Sequence, residues 1–219
     1  CPPEKFKAFI KNYPEHTKIT YINCSAEVKA MSDYICTSSN AIDIIKSIPK
    51  DQPILFAPDK NLGQYLIKET QRDMVLWDGS CVVHEAFCYD KLLDLIVTYP
   101  NAQIIAHPES EAHLLKVAHF IGSTSKLLKY VQTDNNDIFI VATEAGILHQ
   151  MQKAVPHKKL IPAPIEEDNT CACSECAFMK INTLEKVYQC LLNEAPSIEL
   201  DKKLIEKAYK PLEKMFNHA

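Results

Sequence analysis

The chain repeats itself at an offset of about 85 residues. Tyr21-Ile22-Asn23 aligns with Ile105-Ala106-His107 at 84 positions, and Thr37-Ser38-Ser39 with Ser123-Thr124-Ser125 at 86. Phe56-Ala57-Pro58-Asp59 aligns with Val141-Ala142-Thr143-Glu144, and Leu76-Trp77-Asp78 with Ile161-Pro162-Ala163, both at 85. All βα units resemble one another in strand and loop length, but here polar residues also recur at the same place in each unit, just past the strand, and that favours a true duplication.

Within each repeat, short apolar, β-branched runs alternate with stretches of helical periodicity, which predicts an α/β fold with a parallel sheet under covering helices. The predicted strands are 18–23, 34–37, 54–57, 74–77, 103–106, 120–121, 138–142 and 159–162; the clearest helical stripes are 85–98, 113–117 and 147–154. Ligands of open parallel sheets sit beyond the carboxyl ends of the strands, so the repeat predicts two domains, 1–95 and 96–178, aiming polar loops at one site. Residues 179–219 read as C-terminal helices. Asn182 with Glu185 forms a capping box ahead of Leu184, Val187, Leu191 and Leu192, and a second amphipathic helix carries Leu204, Ala208, Leu212 and Met215, with Pro211 expected to kink it. Both need a surface to cover, and a part of the molecule upstream of this stretch is one candidate.

With 24 basic against 28 acidic residues, evenly interspersed, the chain offers no cationic stripe for nucleic-acid phosphates. No apolar run reaches the roughly 20 residues of a membrane helix, so the expected location is the cytoplasm. The opening Cys1-Pro2-Pro3-Glu4 reads as the middle of a longer protein. Nine cysteines, an odd number lying mostly in apolar or alternating stretches, read as reduced thiols or metal ligands rather than a disulfide framework.

Cys171, Cys173 and Cys176 lie within six residues in a loop, a spacing suited to a soft metal, zinc or iron-sulfur. No second clip completes a zinc ribbon, and a disulfide or redox pair within the triplet is the other ordinary reading. Cys81 falls in the loop that corresponds by repeat, which raises it above the usual buried small hydrophobe. Two repeats supplying one thiolate each cannot hold a cubane cluster, so a third thiolate is expected upstream. The pair Asp59-Lys60 and Glu144 read as solvated turns or salt bridges, while Cys24, Cys36, Cys88 and Cys190 read as core thiols and His16, His113, His119, His149, His157 and His218 as surface or packing residues.

The segments Tyr21-Ile22-Asn23-Cys24-Ser25-Ala26-Glu27, Thr37-Ser38-Ser39-Asn40-Ala41, Ala57-Pro58-Asp59-Lys60-Asn61-Leu62-Gly63 and Trp77-Asp78-Gly79-Ser80-Cys81-Val82-Val83-His84 are individually distinctive. So are His107-Pro108-Glu109-Ser110, Gly122-Ser123-Thr124-Ser125, Val141-Ala142-Thr143-Glu144-Ala145-Gly146 and Cys176-Ala177-Phe178-Met179-Lys180-Ile181-Asn182. Together, in order and without large gaps, they closely resemble the quinolinate synthase family from Cys1 to about Val187. The resemblance implies repeated three-layer αβα domains about a pseudo-threefold axis, of which this stretch holds the second and third. It also implies a [4Fe-4S] cluster held by Cys81, Cys176 and a third cysteine upstream of Cys1, acting as a Lewis acid in the condensation of iminoaspartate with dihydroxyacetone phosphate to quinolinate.

By the same resemblance Glu109 is the main proton carrier and His107 its companion, His84 points at the same cavity, and Tyr21 and Asn23 orient the substrate. Ser38, Ser123 and Thr124 are matched to phosphate or carboxylate binding, although as isolated residues they would be plain helix caps. An aspartate oxidase or aspartate dehydrogenase is the implied supplier of iminoaspartate. The chain has Cys171-x-Cys173-x-x-Cys176 where the family often shows Cys-x-x-Cys-x-x-Cys, which leaves the role of Cys171 and Cys173 open. Two competing readings are a two-lobed α/β anion-binding module without catalysis, which gives the thiols no task, and a structural metal protein.

Overall fold

A computed structural model of the 219-residue chain describes residues 1–166 and 174–217. Each repeat forms a four-stranded, all-parallel sheet. The first contains β1 (Thr17–Tyr21), β2 (Tyr34–Cys36), β3 (Ile54–Ala57) and β4 (Met74–Leu76), in the order β2-β1-β3-β4. The second contains β5 (Gln103–Ala106), β6 (Phe120–Ile121), β7 (Ile138–Ala142) and β8 (Lys159–Pro162), in the matching order β6-β5-β7-β8. The helices α1 (Pro3–Ile10), α2 (Ala26–Ala30), α3 (Ala41–Ser47) and α4 (Lys60–Thr70) belong to the first repeat, and α5 (Val82–Glu85) and α6 (Tyr89–Thr98) lead to the second. There α7 (Ala112–Val117), α8 (Thr124–Thr133) and α9 (Ile147–Ala154) cover the sheet, followed by α10 (Ala177–Lys180), α11 (Leu184–Asn193) and α12 (Lys202–Phe216).

Alternation along the central strands explains the three layers. Ile54 and Phe56 of β3 enter one apolar cluster with Ile19, Ile35, Ile44 and Leu66, while Leu55 and Ala57 enter another with Phe6 and Val28. In β7, Ile140 and Ala142 join Ile104, Leu92 and Leu114, and Phe139 and Val141 join Leu127, Val131 and Met151. A strand buried on both faces reads as a continuous apolar run, which is why Ile54-Leu55-Phe56-Ala57 and Phe139-Ile140-Val141-Ala142 show no polar alternation.

Three expectations change at the element scale. The helix expected over 85–98 divides: Cys88 N donates to Pro164 O, and α6 starts only at Tyr89. The cap of α11 is Thr183, whose hydroxyl accepts from Lys186 N, rather than Asn182. The helix α12 runs through Pro211 and lies on the first sheet of the same chain, with Ala208, Pro211 and Met215 buried and Met215 inside the cluster that holds Ile35 and Phe56. Lys214 fastens it, with its ammonium 4.4 Å above the Tyr34 ring and donating to Asp33 O.

Candidate active site

The polar residues singled out above stand at the carboxyl ends of the strands. Tyr21 ends β1, Ser38 follows β2, Asp59 follows β3 and Cys81 follows β4; His107 and Glu109 follow β5, Ser123 follows β6, Thr143 and Glu144 follow β7, and Cys176 follows β8. In both sheets the chain reverses its direction of strand addition between the first and third strands, the place where a crevice opens in folds of this kind. The two crevices face each other. Ser39 Oγ donates to Ser123 Oγ across the repeats at 3.0 Å, Ser38 Oγ lies 3.3 Å from His107 Nε2, and His84 Nε2 lies 3.2 Å from Thr143 Oγ1.

Glu109 is the centre of this constellation. Its Oε2 lies 3.1 Å from His84 Nδ1 and 3.9 Å from His107 Nδ1, and all three side chains are buried. The imidazoles of His84 and His107 stack at 4.6 Å between centroids. Two stacked rings cannot both carry charge cheaply in such a place, and their environments push them apart. Burial opposes charging His84, but hydrogen bonds with Cys81 and Glu109 and the negative charge of the Glu109 carboxylate outweigh it and lift its pKa to about 9. Burial also opposes charging His107, there is less to offset it, and the neighbouring His84 charge adds to the effect, bringing it down to about 4.

His107 is therefore neutral near pH 7, and its tautomer follows from its partners: Nδ1 accepts from Glu109 N, so the proton sits on Nε2 facing Ser38. Burial alone would raise the Glu109 carboxyl, yet the hydrogen bond with His84 and the electrostatic influence of the two imidazoles hold it below the usual carboxylate range. Tyr21 goes the other way: burial, and then the charge on Glu109, push its phenol up to about 12, so it remains a hydrogen-bond donor.

Cys81 completes the group. Its thiol, a nitrogen of His84 and a carboxylate oxygen of Glu109 lie within 4.8 Å of one another, a set able to hold a metal ion. His84 Nδ1, buried, faces the Glu109 carboxylate at 3.1 Å. Cys81 and Cys176 are both free, partly buried thiols, each at the N-cap of a single helical turn. Their loops border the same residue, since Ser174 Oγ donates to Thr143 O and the Thr143 hydroxyl meets His84. Free thiols from two symmetric loops suit a soft, thiolate-bound centre.

The sequence-predicted residues thus fall in one region, with differences of degree. Tyr21, Ser38, His84, His107, Glu109 and Ser123 line the facing crevices, whereas Asn23 and Thr124 sit exposed at the margins, Asn23 on the turn after β1 and Thr124 at the first residue of α8. Ser123 caps α8 and shares hydrogen bonds with Ser39 and Ser125. Cys171, Cys173 and His218 lie outside the described residues. Thr143, Ser39 and Asp59 are the residues that sequence reasoning missed. Asp59 is buried rather than solvated, and only its neighbour Lys60 makes surface ion pairs, with Asp78 and Glu85. Cys36 is a core thiol as expected, Cys24 and Cys88 are partly buried, and Cys190 is exposed. The one available signal for Thr143 and Asp59 was their place in the repeat.

A family described as quinolinate synthetase A protein matches residues 1–217. The quinolinate synthase of Thermosynechococcus vestitus is 57% identical over 98% of this chain and 67% of its own length, and that of Gloeothece citriformis is 54% identical over 98% and 66%. The quinolinate synthase of a Synechococcus species is 55% identical over 98% and 67%. The chain spans about two thirds of the length of these curated relatives. On the family match and these identities, the chain belongs to the quinolinate synthetase A family.

Proposed function

We propose that this chain supplies two of the lobes of a quinolinate synthase acting on iminoaspartate and dihydroxyacetone phosphate in NAD biosynthesis. The observation that carries the reading is the buried Glu109 carboxylate, set against the stacked imidazoles of His84 and His107 and beside the Cys81 thiol. Joining the two reactants releases one phosphate and two waters with no net change of oxidation state, so the protein must remove and return protons and bind anions. Glu109, ionised and buried, is a general base facing the crevice; His84, charged beside it, holds that carboxylate in place and stabilises its negative form.

The neutral His107 directs its Nε2 proton through Ser38 toward the region of Tyr21. The Tyr21 phenol, kept protonated, can donate to a carbonyl or carboxylate oxygen of the substrate. Hydroxyls of Ser38, Ser39, Ser123 and Ser125, with the free N–H groups at the start of α8, form a polar patch suited to a phosphate or carboxylate. Cys81 and Cys176, with a cysteine from outside this stretch, would hold a [4Fe-4S] cluster, which when bound supplies Lewis acidity toward an oxygen of the reactants through its iron without a protein ligand. No helix among the described residues is long and apolar enough to cross a membrane; the cytoplasm is the proposed location, and an aspartate oxidase or dehydrogenase the proposed source of the unstable imine.

The test uses the natural full-length protein, prepared and assayed without air. Quinolinate formation from the two substrates is expected, with about four irons per chain, and Glu109→Gln is expected to lower kcat on the order of 100-fold or more while leaving substrate binding measurable. Stoichiometric zinc in place of iron, or binding of an anionic ligand with no turnover in the unmodified protein, would remove the catalytic reading.

A further inference from the structure

Beyond the thiols themselves, the loops that carry them are held by the same device in both repeats. In the first, Asp59 Oδ1 accepts from Leu62 N at 2.7 Å, capping α4, and Oδ2 accepts from Cys81 N at 2.8 Å. The next residue reaches back, as Lys60 N donates to Gly79 O at 2.7 Å. In the second, 85 positions on, Glu144 Oε2 accepts from Gly146 N at 2.8 Å and Oε1 accepts from Cys176 N at 3.3 Å. There Ala145 N donates to Ser174 O at 2.9 Å. In both repeats the cysteine N–H goes to a carboxylate, and the carbonyl two residues before the cysteine goes to the N–H beside that carboxylate. A tripeptide ending in cysteine is gripped at both ends.

The fit is close. A Cβ on Gly79 would stand 2.6 Å from Pro58 O, and one on Gly146 would stand 2.7 Å from Glu144 Oε2. Fixing a residue's N–H and the carbonyl two positions earlier fixes its peptide planes, and with them the direction of its Cα–Cβ bond. An N-cap role explains the contact of Asp59 Oδ1 with Leu62, and a local turn contact that of Glu144 Oε2 with Gly146 two residues on, but neither explains the second oxygen of either carboxylate. Recurrence of that second contact with a different acid, Asp in one repeat and Glu in the other, indicates that the grip on the cysteine is the shared element.

We propose that Asp59 and Glu144 are positioning residues that aim Cys81 and Cys176 at a common centre, an inference that rests on the cluster reading given above. The substitutions that isolate it keep the local contact of the first oxygen and break the grip of the second. Asn caps helices about as well as Asp, but with its oxygen on Leu62 N it turns an NH2 group toward Cys81 N–H. Asp59→Ser keeps a cap and simply fails to reach Cys81, while Glu144→Gln, with its oxygen kept on Gly146 N, turns an NH2 group toward Cys176 N–H.

The natural full-length protein, Asp59→Asn, Asp59→Ser, Glu144→Gln and Cys81→Ser are reconstituted without air using iron and sulfide. Iron content, loss of visible absorbance to a chelator, the EPR spectrum after reduction and the melting temperature of the cluster-free protein are then compared. The inference predicts cluster loss on the order of 10-fold faster in the Asp59 and Glu144 variants, with an altered EPR spectrum and nearly unchanged melting of the cluster-free protein. Variants that keep the unmodified protein's cluster lifetime and spectrum while Cys81→Ser loses the cluster would overturn the inference and leave the cluster reading standing. An unmodified protein that takes up no cluster would overturn both.

Discussion

At the scale of single residues the site is built by opposed environments. His84 and His107 stack, and both border Glu109, yet one is held charged and the other neutral. The stability consequence has a definite sign. His84 is raised from its ordinary 6.5 to about 9, so the stabilisation it gives is complete below about pH 6.5 and is lost as pH rises through about 9. Replacing it by Gln should flatten the alkaline fall of stability over that window, measured as melting temperature against pH on the metal-free protein; an unchanged slope would mean that the imidazole is not charged in the fold. Most of these residues were marked beforehand by the resemblance to the family, with titratable groups just past a strand in a repeated unit as the local signal. Asp59 was not: an Asp-Lys pair after a strand reads the same whether the carboxylate is solvated or, as here, buried against the N–H groups of Leu62 and Cys81. Its second partner lies 22 residues away, beyond any local pattern.

At the scale of elements, the apolar runs fixed the strands almost to the residue, because a doubly buried strand such as β7 leaves no other reading of Ile138-Phe139-Ile140-Val141-Ala142. Helix ends were less legible. Asn182 and Thr183 are both good caps, and only backbone geometry chooses between them, while the division at Cys88 depends on a carbonyl 76 residues downstream at Pro164. The destination of the C-terminal helices was open for the same reason: amphipathic periodicity tells which face is apolar but not what it meets. The structure assigns α12 to the first sheet through Met215, so Met215→Ala should cost about 2–4 kcal/mol and lower the melting temperature measurably. Leu191→Ala on α11 is the control, since Leu191 is 76% exposed, and a change within about 0.5 kcal/mol is expected. Equal losses at the two positions would contradict the docking of α12.

Across the whole molecule, two sheets of identical strand order meet at their carboxyl ends, and three side-chain hydrogen bonds between the repeats, Ser38 with His107, Ser39 with Ser123 and His84 with Thr143, lie at the candidate site. The interface therefore includes the site, and weakening the contact of the two repeats there should impair turnover before it unfolds either sheet. Thr143→Val removes the hydroxyl beside His84 and is expected to reduce kcat several-fold with circular dichroism unchanged; full activity would detach His84 from the chemistry. The repeat period made this architecture readable from the sequence, but the pairing of particular loops across it was not, because nothing in a period of 85 says which polar residues of one copy touch the other. In the proposed function, thiols from both repeats converge on one centre beside Glu109. Diffraction from crystals of the natural full-length protein, prepared without air and recorded at the iron absorption edge, tests it directly: a single iron-rich anomalous peak bonded to the sulfurs of both Cys81 and Cys176 is predicted, and iron bonded to only one of them, or to neither, would contradict it.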